Sequence, residues 1–149
     1  MFIREATEAD AQQGSSLLKR SIIELCGRDH KWEPAHIGRW IANKTPENWL
    51  CWVNSASEDL YVAERSGILL GIGMLSHASE IVLNYVCPDH RFHGVSKAML
   101  KHMEDRAKEL GARSCFVETT ITAATFHRSA GYTPVPGFDA VRKMQKCLC

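Results

Sequence analysis

The chain has 149 residues, with 18 Lys and Arg against 17 Asp and Glu, a formal net charge of +1. That is the length of one domain, large enough to bury a core without staples, and no apolar run approaches the roughly 18 residues of a membrane span. Near-neutral charge removes any bulk pull toward nucleic acid or acidic membrane surfaces, so neither is expected as a partner.

The first residues, MFIREATEAD, are charged and contain no apolar signal-type stretch. Six cysteines include no C-x-x-C pair. Cys26, Cys51, Cys87 and Cys115 sit among apolar residues, where a reduced cysteine behaves as a small hydrophobe. This usage predicts a reducing, cytoplasmic setting, with Cys147-Leu148-Cys149 as a plain exposed end.

In chain order, Phe2–Ala6 reads as a strand. Thr7 is a candidate N-cap with Asp10 in an acidic first turn. Leu17, Leu18, Ile22, Leu25 and Cys26 recur at helical spacing, predicting a helix over residues 8–26. Pro34 and the Thr45-Pro46 pair open two further helices. Leu60–Arg65 and Ile68–Leu75 are strand-like and flank Ser66-Gly67, a hairpin signal. Glu80–Val86 is the next strand. Gly94–Leu110 is an amphipathic helix, with Val95, Met99, Met103, Ala107 and Leu110 on one face and Gly111 as its stop. Cys115–Val117 is a buried-type strand, Thr122–Ala130 a short helix, and Tyr132–Val135 and Val141–Leu148 two last strands. A meander followed by a strand–helix–strand crossover implies a mixed α/β sheet flanked by helices.

The most informative stretch is Tyr85–Lys97, YVCPDHRFHGVSK. A strand ends at Val86, Pro88 stops the ladder, and a helix opens around Gly94. First-turn amides have no internal partner, and the helix dipole favours an anion there. Gly94 removes a blocking side chain, Ser96 adds a hydroxyl, and Arg91 and Lys97 add positive charge. A pyrophosphate suits such a turn; an ordinary capped helix is the alternative. Cys87, His90 and His93 are metal-ligand types, but zinc needs a fourth group and would compete with the phosphate site, so no metal is expected. Gly71-x-Gly73 lies inside a strand with no helix after it, so a bulge or close packing explains it better than a dinucleotide fingerprint.

The run Arg91-Phe92-His93-Gly94-Val95-Ser96 resembles the acyl-CoA signature of the GNAT superfamily of N-acetyltransferases, Gln/Arg-x-x-Gly-x-Gly/Ala, with Ser96 at the last small position. Phe126-His127-Arg128-Ser129-Ala130-Gly131-Tyr132 resembles that family's later Phe-Tyr-x-x-x-Gly-Phe. The element order is also similar along nearly the whole chain. The resemblance implies a GNAT-like acyl-CoA N-acyltransferase fold over residues 1–149. It implies acetyl-CoA as cofactor and direct acyl transfer to a primary amine, either a small molecule or a peptide. A CoA-binding sensor with weak or no turnover is the alternative function, and a homodimer is the default assembly.

Carried over by position, the resemblance places the pyrophosphate at Arg91, Phe92, His93, Gly94, Val95, Ser96 and Lys97, and pantetheine along Asn84, Tyr85 and Val86. The Val86 amide would face the thioester carbonyl. Thr120 stands where the family has a pantetheine-binding asparagine, and Phe126 lies beside the cofactor. Glu80, six residues before Val86, matches the spacing of a general base; a solvated strand-end glutamate is the alternative. His127 replaces the family's tyrosine at the departing sulfur, and imidazole can act as acid or base near neutrality. Acceptor contacts are expected from Asp29, Trp32 and Glu33, while Trp40 and Trp49 are assigned to packing.

Overall fold

Ser66 and Gly67 both adopt positive φ, 51° and 82°. That combination matches the twist of a two-residue hairpin. It joins β2 (Glu58–Arg65) to β3 (Ile68–Ser76). β1 (Phe2–Glu5) lies antiparallel to β2, and β4 (Glu80–Val86) antiparallel to β3. β5 (Ser114–Glu118) runs parallel to β4, so a crossover is required, and helix α5 (Val95–Glu109) supplies it. The computed structural model describes residues 1–137 and 142–149. Among them the sheet has seven strands in the order β1-β2-β3-β4-β5-β7-β6, with β6 at Thr133–Pro134 and β7 at Lys143–Cys147. The mixed α/β sheet expected from the sequence is therefore present. Val141, the expected start of the last strand, lies outside the described residues.

Helices cover both faces. α5 packs on one side, where Val95, Met99, Met103 and Ala107 are buried as their spacing predicts. Leu110 departs from that face: it caps the helix and is 40% exposed. Gly111, at φ 88°, turns the chain away there. α1 (Ala11–Leu25) and α4 (Pro46–Val53) pack on the other side. Trp49 of α4 is fully buried, and its indole N–H donates to Thr7 O at 3.0 Å. Between them lie α3 (Pro34–Ile41) and α2 (Gly27–His30), a single turn beyond the helix expected over residues 8–26.

Asp10 is more than a first-turn acid. It is buried, accepts two hydrogen bonds from Arg4 at 2.8 and 2.9 Å, and accepts the Thr7 N–H at 2.8 Å. The Arg4 bonds hold its carboxyl below the usual carboxylate range. Cys26, Cys87 and Cys115 are buried, but Cys51 is exposed. Nor is the C-terminus a plain exposed end. Cys147 and Cys149 are joined by a disulfide, and Leu148 between them packs into the α5-side core.

Two irregularities in the sheet position the site. Gly71 and Gly73 form a notch for α5: a Cβ at Gly71 would lie 2.6 Å from the Val95 side chain, and one at Gly73 would lie 2.6 Å from Met99. Close packing, not nucleotide binding, accounts for this glycine pair. The second irregularity is a bulge. Leu75 pairs with Ile81 but Met74 with Leu83, leaving Val82 as an extra residue in β4. Ile81 consequently buries under α5, while Leu83, two residues on, buries on the α1 and α4 side.

Gly73→Ala forces Met99 to move within a filled core. Thermal unfolding should register a loss of about 1–3 kcal/mol, the usual range for overpacking. Gly38→Ala is the control, because its Cβ would meet nothing within 4 Å; it should leave stability unchanged or raise it by up to about 1 kcal/mol.

Candidate functional site

β4 and β5 pair only at Glu80–Phe116 and Ile81–Val117 among the described residues. Beyond that point a cavity of about 450 Å³ opens between the strands, within the range of small-molecule sites. Asn84, Tyr85 and Val86 line it from β4, and Val117 and Glu118 from β5. The Cys87 N–H donates to Leu70 O at 2.8 Å on β3. Alternation along an antiparallel ladder therefore turns the neighbouring Val86 N–H the other way, into the gap. Asn84 Nδ2 donates to Ser96 O at 3.2 Å, tying β4 to the first turn of α5. Its Oδ1 is buried and has no partner among the described residues.

The strand leads into the α5 turn. Gly94 is the N-cap at φ 78°, and a Cβ there would meet no atom within 4 Å. The backbone needs glycine for its left-handed conformation, while the space in front stays open. The first α5 backbone bond at this end is Ala98 N–H to Gly94 O, so the amides of Val95, Ser96 and Lys97 have no helical partner. Arg91 and Lys97 line the same cavity, and neither forms an ion pair among the described residues. Phe92, at φ 62°, is 91% exposed beneath the Arg91 guanidinium, 4.6 Å away. Arg20 of α1 grips Asp89 with two bonds, at 3.1 and 3.2 Å, fixing the turn to the helical layer. His93 alone of the expected phosphate residues does not line the cavity and is exposed.

The opposite wall is α6 (Ala124–Ser129) with the loop before it. Phe126, His127 and Thr120 line the cavity. The Thr120 hydroxyl is already engaged, accepting the Ala123 N–H at 3.2 Å. His127 is only 5% exposed, and its Nδ1 lies 2.7 Å from Thr119 Oγ1. Its Nε2 is buried without a partner among the described residues. Burial pushes this imidazole down to about 4, so the ring is neutral at physiological pH. That removes an imidazolium near neutrality from the roles expected of it.

The acceptor end differs most from expectation. Asp29 does not line the cavity. Its carboxylate accepts the Ile121 N–H at 2.8 Å, the Thr122 N–H at 3.1 Å and the Thr122 hydroxyl. It is a staple between α2 and the loop ahead of α6. Trp32 is 60% exposed and packs edge-on to His30, with ring centroids 5.1 Å apart. Glu33 is the N-cap position of α3. Glu80 sits at the paired end of the strands, its N–H donating to Ser76 Oγ at 3.2 Å, and it too is off the cavity wall. In their place α1 supplies Ser21 and Leu25, and its C-cap Cys26 adds a third. Burial pushes the Tyr85 hydroxyl up to about 12; it lies beside the Trp40 indole. Trp40 itself is half-buried against His30 and stacked on His36.

Residues 39–144 match the model of the acetyltransferase (GNAT) domain. The chain belongs to the GNAT acetyltransferase family. Curated relatives include the amino-acid acetyltransferase of Pseudomonas paraeruginosa, 34% identical over 82 residues. That match covers 52% of this chain but 19% of the relative, so the chain spans a small part of the curated relatives it matches. Solved GNAT structures superpose over nearly the whole chain. A GCN5-related N-acetyltransferase from Rhodopseudomonas palustris aligns at TM-score 0.86 with 20% identity, covering 98% of this chain and 94% of that one. The PaiA N-acetyltransferase from Thermoplasma acidophilum, solved with coenzyme A, aligns at 0.83 with 16% identity, covering 98% of each. None of the helices among the described residues is long and apolar enough to cross a membrane.

In this GNAT chain the buried His127 links stability to pH. Its value falls from an ordinary 6.5 to about 4 on folding. Between those limits the unfolded chain binds a proton that the folded chain does not. Stability should therefore drop as pH falls from about 6.5 to about 4. Urea unfolding across that window should show a shallower pH slope for His127→Gln than for the wild type.

Proposed function

We propose that the chain is an acetyl-CoA-dependent N-acetyltransferase that passes the acetyl group directly to a primary amine. The observation that carries this reading is the open β4–β5 gap, with the Val86 N–H turned into it, running without interruption into the Gly94 turn. The site suits the donor in three respects. The first-turn amides of α5, with Arg91 and Lys97, offer donors and positive charge that are unpaired among the described residues and suit a pyrophosphate. Asn84 Oδ1 is a buried acceptor lacking a donor among the described residues, as an amide-bearing arm would supply. The cavity between the strands is long enough in sequence, from Ile81 to Lys97, to follow strand and turn together.

Bound there, acetyl-CoA supplies an activated acyl group on a thiol that leaves readily. The protein supplies position and electrostatics. The Val86 N–H donates to the carbonyl oxygen as it gains negative charge, a contribution of about 3–4 kcal/mol for one such donor. Val117, Phe126 and the α1 residues exclude water from the reacting end. The amine must be neutral to attack, and at a pKa near 10.4 a lysine-type amine needs an exit for its proton. Glu80, reached through water, is the proposed sink. Amino-acid relatives make α-amino acids the first acceptors to test.

An acetylation screen over amino acids, polyamines, aminoglycosides and peptide N-termini, read by thiol release, should find turnover. With the accepted amine, Glu80→Gln should shift the rate profile toward higher pH; an unchanged profile would remove Glu80 from the mechanism. Arg91→Ala with Lys97→Ala should raise KM for acetyl-CoA about 10-fold or more with kcat within about twofold, the signature of lost uniform binding. Coenzyme A at 100 times its Kd should add about 2.7 kcal/mol of stability. Equal stabilisation by ATP, or tight CoA binding with no turnover on any amine, would overturn the enzyme reading.

A further inference from the structure

We infer that Thr119 is a positioning residue that fixes the tautomer of His127, so that the ring presents Nε2–H to the sulfur of the acyl donor. This deepens the proposed acetyl transfer and rests on it. The Thr119 hydroxyl carries one proton and has two neighbours: His127 Nδ1 at 2.7 Å and Thr120 O at 3.3 Å. We place the hydroxyl proton on the nearer of the two, Nδ1, which puts the ring's own proton on Nε2. Both residues are almost fully enclosed, at 6% and 5% exposure, so water does not compete for Nδ1.

The pair is held from both sides. The Thr119 N–H donates to Arg142 O at 2.6 Å, anchoring it beside β7. The His127 N–H donates to Ala123 O, and Phe126 and Tyr132 flank the ring at 5.3 and 5.7 Å between centroids. Thr119 Oγ1 is the one polar partner of the imidazole among the described residues, and Nε2 is left with none. A buried N–H without a partner is costly. On a ring that lines the donor cavity it is a vacant hydrogen-bond position.

The chemistry needs no proton from this group. The C–N bond to the amine forms, the C–S bond breaks, and the electron pair leaves on sulfur. The amine's proton goes to the base or to water. A neutral Nε2–H stabilises the sulfur as it gains charge by hydrogen bonding alone, since giving up its proton would leave an imidazolate. A tyrosine hydroxyl and this imidazole thus differ: the first can transfer a proton, the second only donates.

The test uses the full chain with 15N-labelled histidine. Long-range 1H–15N spectra report which ring nitrogen of His127 carries the proton. The wild type and Thr119→Ser should show a single tautomer protonated at Nε2. Thr119→Val, which keeps shape but cannot donate, should lose that preference while retaining a cooperative melt. With the best amine, Thr119→Val should lower kcat about 10-fold, the scale of one hydrogen bond, leaving KM for acetyl-CoA within about twofold; Thr119→Ser should restore it. A wild-type ring protonated at Nδ1, or a Val variant with the wild-type tautomer, would overturn the proposal. So would a shifted tautomer with unchanged kcat. If the wild type acetylates no amine, the functional reading fails, while the spectra still decide the tautomer.

Discussion

Buried backbone N–H and C=O groups must find partners, and β4 leaves part of its run without them. Among the described residues it shares two ladder positions with β5 before the strands separate. An unfilled gap in the middle of a sheet is otherwise a defect. The whole arrangement around it is built to keep it open: the Val82 bulge bends β4, Pro88 ends it, and Asp29 and Asn84 tie the flanking elements in place. A ligand carrying amides and a pyrophosphate, as proposed above, would satisfy the groups that the sheet leaves over. The function proposed for the chain is thus the complement of an unpaired stretch of strand.

Electrostatics are distributed in the same sense. Two carboxylates flanking the cavity are held by partners, Asp89 by Arg20 and Asp29 by backbone amides of the loop ahead of α6, while Glu118 lines the wall itself. Arg91 and Lys97 of the proposed phosphate turn form no ion pair among the described residues. Exposed pairs such as Arg20–Asp89 contribute little stability. Their use here is to fix the turn and to take negative charge away from the anion's approach. At the other end burial keeps His127 neutral, so that ring adds no formal charge to the cavity wall.

Much of this was legible in the sequence wherever backbone geometry demands a residue type. Ser66-Gly67 and Gly94 announce their turns because positive φ restricts the choice of residue, and the α5 face is readable from a 3.6-residue period. Gly71 and Gly73 lack the following helix of a nucleotide fingerprint, and Val95 and Met99 of α5 fill the space beside them. Contacts between distant segments were not legible. Asp29 reads as a free acceptor contact, yet its partners lie more than 90 residues away. Thr119 is one hydroxyl in a Thr-Thr pair, and its link to His127 depends on how β5 meets α6. The Val82 bulge leaves no mark in a continuous apolar run, although it decides which faces Ile81 and Leu83 bury. Leu110 and Cys51 follow the local pattern but fall where solvent reaches them.

The central claim is that the backbone of β4 opposite β5 is an unfilled half of a ladder awaiting a ligand. Residue-by-residue amide hydrogen exchange, with and without acetyl-CoA, tests it directly. The Cys87 amide, bonded to Leu70, should be protected in both states. The Val86 amide should exchange freely in the unliganded protein and become protected when acetyl-CoA is added. Protection at Val86 in the free protein, or none gained on adding acetyl-CoA, would contradict the account.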